Sequence, residues 1–411
     1  MPVRIVVIGA GPGGAMLAYL LASRGGERLR ITLIERQHDF EREFRGEVLM
    51  PSGIDVIRQA GLLDQFQQVP KRLLRRAVIL DHNKPLTTLD LERAVGPGAA
   101  FTAVSQPAML EMLVAEASRF SNFEFERGVA MRDLVVGGDR VRGVQVVSEG
   151  QPRTIETDLV IGADGRASAT RKHAGLDAIR RPQSFDIVWC KAPAPPLSQD
   201  DLHSAQVFIG RGHFALVFPT YDDRLQIAWV IRKGSMGELR RAGIEHWIDQ
   251  LAGHVSDDLA RHLRANLHAI TSPFLLDVIC DLMPRWTRPG LLLIGDAAHP
   301  MSPVGGQGIN IAMRDAVVAA NHLIEACRSG DASAASFDLA AERIQRERMP
   351  EVDRIQRMQQ IPPRFLFAWP IVTHTLLAIL PVLVKSGIAT STAGAFLRRF
   401  ANGVGNVRLR V

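Results

Sequence analysis

Apolar runs and helical patterns alternate near the start of the chain. Val3–Ile8 is an apolar run of strand length, Gly13–Arg24 carries apolar residues at helical spacing, and Arg30–Glu35 is a second strand-like run. A strand, a helix and a strand in this order predict a βαβ unit, whose parallel sheet buries both faces. Leu159–Ile161 and Leu291–Ile294 are predicted as further buried strands.

Cap and turn residues mark helices in the first third of the chain. Ser52–Ala60 is predicted to be a helix that ends at Gly61. Ser105 followed by Pro107 predicts an N-cap and a first-turn proline, which open a helix running to about Ala117.

The pattern changes in the middle of the chain. Alternation between Val129 and Val147 around Gly137-Gly138-Asp139 predicts a hairpin. From about Gln183 to Lys233 the runs FDIVWC, SAQVFI, HFALVFP and LQIAWVI follow one another with turn residues between them, which predicts an inserted antiparallel sheet. Helical pattern returns over Gly243–Asn266 and again from Gln307 to about Gln359.

The composition is that of a globular protein with room for two domains. The 411 residues are 46% hydrophobic and 22% charged, which excludes wholesale disorder. The formal charge of +6 comes from 49 basic and 43 acidic residues, and the arginines are scattered. Scattered arginine is typical of solvated faces, so we predict no nucleic-acid partner.

The three cysteines predict a reducing compartment. Cys190, Cys280 and Cys327 lie far apart without CxxC or Cys/His spacing, so we predict neither a disulfide framework nor a metal site. The apolar run Val3–Ile8 is too short for a secretion signal. We therefore expect a cytoplasmic protein.

The first glycine-rich loop indicates a dinucleotide site. Gly9, Gly11 and Gly14 form GxGxxG between a predicted strand and a predicted helix. Glycines allow the backbone to approach a pyrophosphate, and the helix N-terminus offers it N–H groups and positive potential. Glu35 ends the second strand, where a carboxylate can accept hydrogen bonds from ribose hydroxyls.

Two later loops carry glycine and aspartate after a predicted strand. Asp158–Arg166 reads DLVIGADGR, and an ordinary Asp-Gly turn is the alternative interpretation of this segment. The sequence from Gly295 to Asn310 is GDAAHPMSPVGGQGIN. Asp296 is predicted at the carboxyl edge of the sheet, where α/β proteins bind ligands. The glycines after Pro303 would expose backbone N–H groups at the next helix, which can stabilise negative charge on a cofactor ring.

GAGPGG with Glu35, then GADG, then GDAAHPMSPVGGQGIN, in this order and at these distances, resembles the FAD-dependent aromatic monooxygenases of the para-hydroxybenzoate hydroxylase and ubiquinone-biosynthesis hydroxylase type. The resemblance extends to about Gln359. It implies an α/β fold: a Rossmann-like FAD-binding domain, an inserted antiparallel-sheet substrate domain and a helical C-terminus.

The resemblance implies residues that contact FAD along its whole length. They are Gly9, Gly11, Pro12, Gly13, Gly14, Glu35, Arg36, Arg45, Gln106, Val129, Ala130, Asp164, Asp296, Pro303, Gly305, Gly306, Gln307, Gly308, Ile309 and Asn310.

Their implied roles run from adenine to the flavin ring. The first glycines would face the pyrophosphate, Glu35 the adenosine ribose and Arg36 the adenine, with backbone from Val129 or Ala130 beside it. Arg45 and Gln106 would approach the phosphates or ribityl chain.

Nearer the ring, Asp164 belongs to a motif credited with contacts to FAD and the nicotinamide cofactor. Asp296 would bind the ribityl hydroxyls, and Gly305 to Asn310 would lie along the isoalloxazine ring.

The domain boundaries follow from the same comparison of motifs and patterns. We predict FAD-binding segments at 1–70, 101–180 and 285–345, substrate-domain segments at 71–100 and 181–284, and C-terminal helices at 346–411.

The implied reaction is a hydroxylation. NAD(P)H would reduce FAD, O₂ would give a flavin C4a-hydroperoxide, and its terminal oxygen would pass to an aromatic or quinone-like substrate. The sequence contains no second GxGxxG for NAD(P)H. The resemblance implies this absence, because in this family the nicotinamide cofactor docks transiently without its own Rossmann domain. The candidates for acid–base chemistry are His213, Tyr221 and Arg45, and none of them is singled out by the sequence.

The stretch Phe365–Val384 is apolar and carries no charged side chain. Pro370 and Pro381 interrupt it, so two short helices on the protein's own surface are favoured, with peripheral membrane contact or a true span as alternatives. Membrane contact would imply a lipophilic substrate.

The sequence does not exclude three other functions. A reductase of prenyl or polyene chains is one, and a non-enzymatic flavin-binding assembly protein is another. A flavin-dependent halogenase is disfavoured because no Trp-x-Trp-x-Ile-Pro segment is present.

Overall fold

A computed structural model describes residues 2–41, 48–97, 99–210, 213–271, 273–329, 333–363, 395 and 397–411. Its strands are β1 Val3–Ile8, β2 Leu29–Glu35, β3 Val48–Leu49, β4 Lys71–Leu74, β5 Arg76–Asp81, β6 Lys84–Asp90, β7 Phe101–Val104, β8 Phe123–Arg127, β9 Val129–Gly137, β10 Arg140–Ser148, β11 Gln151–Glu156, β12 Leu159–Gly162, β13 Ile179–Arg180, β14 Phe185–Pro193, β15 Ser204–Gly210, β16 His213–Pro219, β17 Arg224–Arg232, β18 Phe274–Leu276, β19 Asp281–Leu282, β20 Thr287–Arg288 and β21 Leu291–Leu293.

The α-helices are α1 Pro12–Gly25, α2 Pro51–Ala60, α3 Leu63–Gln67, α4 Leu91–Val95, α5 Gln106–Ala117, α6 Ala169–His173, α7 Met236–Ala252, α8 Asp257–Ala265, α9 Gln307–Arg328 and α10 Ala334–Gln359. Short 3-10 turns lie at Gly26–Arg28, Asp201–His203, Leu267–Ala269 and Gly295–Ala297.

A six-stranded sheet, built from strands between residues 3 and 293, is one of the two large sheets of the fold. Its order is β20-β21-β12-β1-β2-β8, and all neighbours are parallel except β20 and β21. Alternate residues face opposite layers: Ile5 and Val7 pack with α1, α5 and α9, whereas Val6 and Ile8 pack with β10. Both faces are therefore buried, as the apolar runs predict.

A seven-stranded sheet is the second large sheet. Its order is β18-β14-β17-β16-β15-β5-β6, and every pair is antiparallel except β15 with β5. One face packs on α7 and α8 through residues such as Ala215, Val217 and Trp229. The other face carries Ile187, Trp189 and Val230. The expected α/β fold with an antiparallel sheet and a helical C-terminus is confirmed.

Smaller elements link the two large sheets. The three-stranded sheet β3-β7-β4 packs on the seven-stranded sheet through Leu74, Ala103 and Phe218. A second three-stranded sheet, β11-β10-β9, contains the predicted hairpin and covers the parallel sheet.

The helical prediction for Gly243–Asn266 is only partly right. Gly243 takes non-helical angles (φ 85°, ψ 168°) inside α7, and the chain leaves the helix again after Ala252. Ser256 then caps α8, because its side chain accepts from the Leu259 amide. Glycine permits the positive φ that interrupts α7.

The C-terminal part contains α10 and a short helical piece at residues 397–402. The helix α10 crosses the 345/346 boundary predicted from the sequence. No helix among the residues that the structure describes has the length and apolarity needed to cross a membrane. The apolar stretch 365–384 lies outside the described residues.

Candidate functional site

Three loops meet at one edge of the parallel sheet. Ile8 of β1 pairs with Gly162 of β12, and Gly162 pairs with Leu293 of β21. Because these strands are parallel and adjacent, the loops that follow them emerge side by side at their carboxyl ends. GAGPGG, GADG and the loop from Gly295 are therefore neighbours in space although they are far apart in sequence.

The first loop depends on glycine for its close contacts. Gly9 has φ +98°, and a Cβ placed on it would lie 2.7 Å from the Ala163 carbonyl oxygen. A Cβ on Gly14 would lie 2.0 Å from the Gly9 carbonyl oxygen, so that turn admits no side chain. A Cβ on Gly11 would meet nothing within 4 Å. Open space therefore lies in front of the α1 N-terminus, where an anion is favoured.

Glu35 is positioned by the same loop. Its side chain is buried, and its Oε2 accepts from the Ala10 amide at 2.9 Å. Its Oε1 accepts from the Gln37 amide at 3.2 Å. The carboxylate is thus fixed at the end of β2, beside the first glycine loop.

The side chain of Asp164 makes hydrogen bonds within the second loop. The Asp164 carboxylate accepts from Ser168 Oγ at 2.5 Å and from Thr170 N at 2.9 Å. These bonds fold the loop over the start of α6 and bring Ala163 against Gly9. The Asp164 side chain is therefore held inside its own loop.

Arg166, which is not among the predicted contacts, joins the second loop to the third. Arg166 Nε lies 3.1 Å from Asp296 Oδ2, and both side chains are mostly buried. Arg171 Nη1 donates to the Ala297 carbonyl at 2.9 Å. Arg166 directly follows GADG, which is the signal that could have identified it.

The third loop ends at the N-terminus of α9. Gly305 and Gly306 have φ values of +75° and +60°, which favour glycine. A Cβ on Gly308 would meet nothing within 4 Å, so open space also lies beside this helix start. Asn310 accepts from the Met50 amide at 2.9 Å, and it donates to the Gly306 carbonyl at 2.8 Å. Its side chain shapes the loop.

The two glycine-dense loops are connected through their helices. A Cβ on Gly13 of α1 would lie 3.1 Å from the Ala312 carbonyl oxygen of α9, and a Cβ on Gly295 would lie 3.2 Å from Ala312 Cβ. The N-termini of α1 and α9 therefore face one edge together. This arrangement suits one elongated anionic ligand that is held at both ends.

Buried charges lie beneath the third loop. Asp315 of α9 accepts from the Gly295 amide at 3.0 Å and lies 2.7 Å from His299 Nε2. Its other oxygen lies 2.7 Å from Arg348 Nε. Burial alone would raise the pKa of Asp315, but the charges of His299 and Arg348 hold it at about 2. The carboxylate therefore stays ionised and holds the loop.

The same network continues to the C-terminal segment. Glu351 pairs with Arg348 and lies 2.7 Å from Arg314 Nη2. It also accepts from the Val404 and Gly405 amides at 2.9 and 3.0 Å. Burial opposes ionisation, yet the two arginines lower the pKa of Glu351 to about 2.

The remaining predicted contacts lie at the ends of other elements. Gln106 is the first residue of α5, Val129 and Ala130 begin β9, and Arg36 directly follows β2. A Cβ on Gly128 would touch His38, so the start of β9 lies against the chain that follows β2. Arg45 lies outside the described residues.

The residues present fit FAD. Gly11 and Gly308 leave space at two helix N-termini, and buried Gln307 keeps a side-chain oxygen without a hydrogen-bond partner among the described residues. A pyrophosphate would suit the α1 N-terminus, and a ring that becomes negatively charged on reduction would suit the α9 N-terminus.

An apolar wall lies next to the third loop. Val304 packs against the face of the seven-stranded sheet that carries Ile187, Trp189 and Val230. Phe214 and Leu216 lie on this face as well. The wall and the loop together form the apolar side of a candidate binding site.

His213 lies on the opposite face of that sheet. It precedes Phe214 in β16, and its ring stacks on His254 with centroids 3.9 Å apart. Burial lowers the pKa of His213 to about 4, and His254 adds to the effect. The two histidines border a cavity of about 420 Å³ beside α7. His213 therefore faces away from Val304, and its role as an acid–base candidate stays a prediction.

Tyr221 lies in the turn between β16 and β17. Lys191 Nζ lies 5.1 Å from the centre of its ring.

Among the described residues, no group of three or more His, Cys, Asp and Glu side chains is arranged to hold a metal ion. The three cysteines are buried and free, and burial raises the pKa of Cys190 to about 12.

The fold and the three loops define a flavoprotein. The family model of the FAD binding domain matches residues 2–352, and the chain belongs to this family. A relative from Streptomyces rimosus, 6-methylpretetramide 4-monooxygenase, is 31% identical over 408 residues, which cover 99% of this chain and 94% of that protein. The protein is an FAD-dependent monooxygenase.

Other comparisons support the fold. Digeranylgeranylglycerophospholipid reductase from Methanosarcina acetivorans is 23% identical over 84% of this chain and 80% of that protein. The solved structure of pqsL, a probable FAD-dependent monooxygenase from Pseudomonas aeruginosa, matches with a TM-score of 0.73 at 22% identity and covers 89% of this chain and 97% of that one.

Proposed function

We propose that the protein hydroxylates a lipophilic aromatic or quinone-like compound, with NAD(P)H as transient electron donor and O₂ as oxygen source. The observation that carries the proposal is the apolar wall of Trp189, Phe214, Leu216 and Val230 beside Val304. A ring bound there would lie against the loop assigned to the flavin.

The chain's own residues bind, orient and exclude water. When bound, FAD supplies electron transfer and the activation of O₂. The α1 N-terminus would hold its pyrophosphate, and Asp296, fixed by Arg166, would accept from ribityl hydroxyls. Backbone N–H groups at the start of α9 would stabilise negative charge on the ring. The apolar wall would exclude water from the bound substrate.

The finer assignments belong to the same proposal. The FAD-contact residues are those named from the sequence, with Asp164 and Asn310 acting through the loops that they shape. The sheets support FAD-binding segments at 1–70, 101–180 and 285–345 and substrate-domain segments at 71–100 and 181–284. Peripheral contact of the apolar stretch 365–384 with the inner face of a membrane is the alternative to packing on the protein's own surface, and co-sedimentation with anionic liposomes separates the two.

The test is the fate of a substrate. The purified protein is supplied with FAD, NADH or NADPH, and lipophilic phenols, quinones or quinolones, and the product mass is measured. A gain of one oxygen that depends on O₂ is expected. Protein that binds FAD but converts none of these compounds would contradict the proposed substrate class.

A second candidate is reduction of a prenyl or polyene chain. It is favoured by the 23% identical reductase, whose match covers most of both chains. The same experiment separates the two reactions, because reduction adds two hydrogens and needs no O₂.

A further inference from the structure

Two buried glutamines of α10 hold the main chain of the third loop. Gln359 Nε2 donates to the Ser302 carbonyl at 2.6 Å and to the Val304 carbonyl at 2.8 Å. One turn earlier, Gln356 Nε2 donates to the Pro300 carbonyl at 3.1 Å. Neither glutamine belongs to a glycine-rich motif, and both side chains are fully buried.

The Gln359 bonds fix the direction of one peptide group. A trans peptide is planar, with its C=O and N–H pointing in opposite directions. Because the Val304 carbonyl points at Gln359, the Gly305 N–H points away from α10. No acceptor for that N–H lies among the described residues. Phe400 also packs closely against Gly305, since a Cβ on Gly305 would lie 2.6 Å from its ring.

Stability alone does not explain this glutamine. Its Oε1 is buried without a hydrogen-bond partner among the described residues. An orphaned buried acceptor opposes folding, because its hydrogen bond to water is lost without replacement. Both Nε2 hydrogens, in contrast, are used on the carbonyls of the loop. The side chain is therefore suited to orienting peptides.

We propose that Gln359 is a positioning residue for the flavin ring, acting through the Val304–Gly305 peptide. Oriented this way, the Gly305 N–H is a preorganised donor towards the ring, and its effect is greatest when the ring carries negative charge. The inference rests on the proposed assignment of Gly305 to the flavin ring.

The experiment compares Gln359→Met with Gln356→Met in the full-length protein loaded with FAD. Methionine keeps the length of the side chain and removes the donor. Both variants lose two hydrogen bonds to carbonyls, and Gln356→Met also loses the bond that Arg181 Nη1 donates to its Oε1, so Gln356→Met is expected to lose at least as much thermal stability as Gln359→Met. Only Gln359→Met loses control of the Gly305 peptide.

The discriminating readout is the reduction equilibrium of bound FAD against a dye of known potential. Gln359→Met is expected to shift this equilibrium about tenfold towards oxidised FAD, which is about 30 mV for a two-electron couple. Gln356→Met is expected to stay within about twofold of the wild type. FAD affinity of the apoprotein, measured by fluorescence titration, should fall more for Gln359→Met.

The possible negative outcomes distinguish failure of the Gln359 role from failure of the flavin-site assignment. Equal equilibria in the wild type and both variants would overturn the role of Gln359 and leave the monooxygenase assignment intact. Wild-type protein that refuses FAD would overturn the flavin-site assignment and the inference with it. If Gln359→Met fails to fold, Gln359→Glu keeps the side-chain volume and is measured instead, with the same expected direction.

Discussion

His299 and Asp315 form a buried pair beneath the third loop, with 2.7 Å between Nε2 and Oδ2. The imidazole ring also packs on Trp286, with centroids 4.9 Å apart. Asp315 at the same time accepts from the Gly295 amide. The start of the third loop is therefore fixed by a carboxylate on α9.

Arg348 compensates the carboxylates of this network. Replacing it with Met leaves Asp315 and Glu351 buried with less positive charge beside them, and we expect a loss of about 3–5 kcal/mol in the free energy of unfolding. Urea denaturation measures the loss. Arg346→Met on the exposed face of α10 is the control, and equal losses in the two variants would contradict the prediction.

Acid should destabilise the protein through the same carboxylates. Their pKa values fall from 3.8 for Asp315 and 4.5 for Glu351 to about 2. Lowered carboxyl pKa values contribute stability that is fully present above about pH 5 and is lost as pH falls from about 4 to 2, on the order of 2–3 kcal/mol per group. Urea unfolding from pH 6 to 3 tests this, and a flat profile would refute it.

Glycine substitutions in the first loop should separate folding from binding. Gly14→Ala places a Cβ 2.0 Å from the Gly9 carbonyl oxygen, and we expect it to destabilise the fold by about 3 kcal/mol. Gly11→Ala meets no protein atom, so its melting temperature without FAD should be unchanged while FAD affinity falls. Calorimetry and FAD titration check both, and normal FAD affinity in Gly11→Ala would count against a pyrophosphate there.

The Arg166–Asp296 pair should matter for FAD binding. Arg166→Gln removes the ion pair that orients Asp296, and we expect FAD affinity to fall about tenfold, which is about 1.4 kcal/mol. Arg181→Gln is the matched control, because Arg181 pairs with Asp353 at 2.6 Å with similar burial. Fluorescence titration of the apoproteins measures FAD affinity. An equal loss of affinity in both variants would rule out a specific role of the Arg166–Asp296 pair.

Substitutions on the two faces of β16 should differ in their effect on turnover. Phe214→Ala truncates the wall beside Val304, and we expect KM for a ring substrate to rise about tenfold because apolar contact is lost. His213→Ala should leave kcat/KM within about twofold. Steady-state NAD(P)H oxidation measures both, and a large loss in His213→Ala would contradict this prediction and support that histidine as a catalytic candidate.

Much of the parallel sheet could be predicted because its signals are local. Val3–Ile8 is apolar and buried except for the exposed Arg4, and GAGPGG marks the turn that follows it. The caps at Gly61 and Ser105 act within a few residues of their helices. Such signals do not depend on distant parts of the chain.

Pairings between distant side chains could not be predicted. Arg166 with Asp296 and Gln359 with Val304 come together only through tertiary packing. The side of the sheet that His213 faces is a local property of its strand. Strand parity groups His213 with Ala215 and Val217, but both faces of HFALVFP are apolar, so only the structure shows that this face packs on the helices.

The strand order also constrains synthesis. Leu159–Gly162 is apolar and buried on both faces, yet its neighbour Leu291–Leu293 leaves the ribosome only after the whole antiparallel sheet has been made. Until then the nascent chain exposes an unpaired edge, which is a site for non-native association. Slow, chaperone-dependent maturation is the expected consequence of building one sheet from such distant pieces.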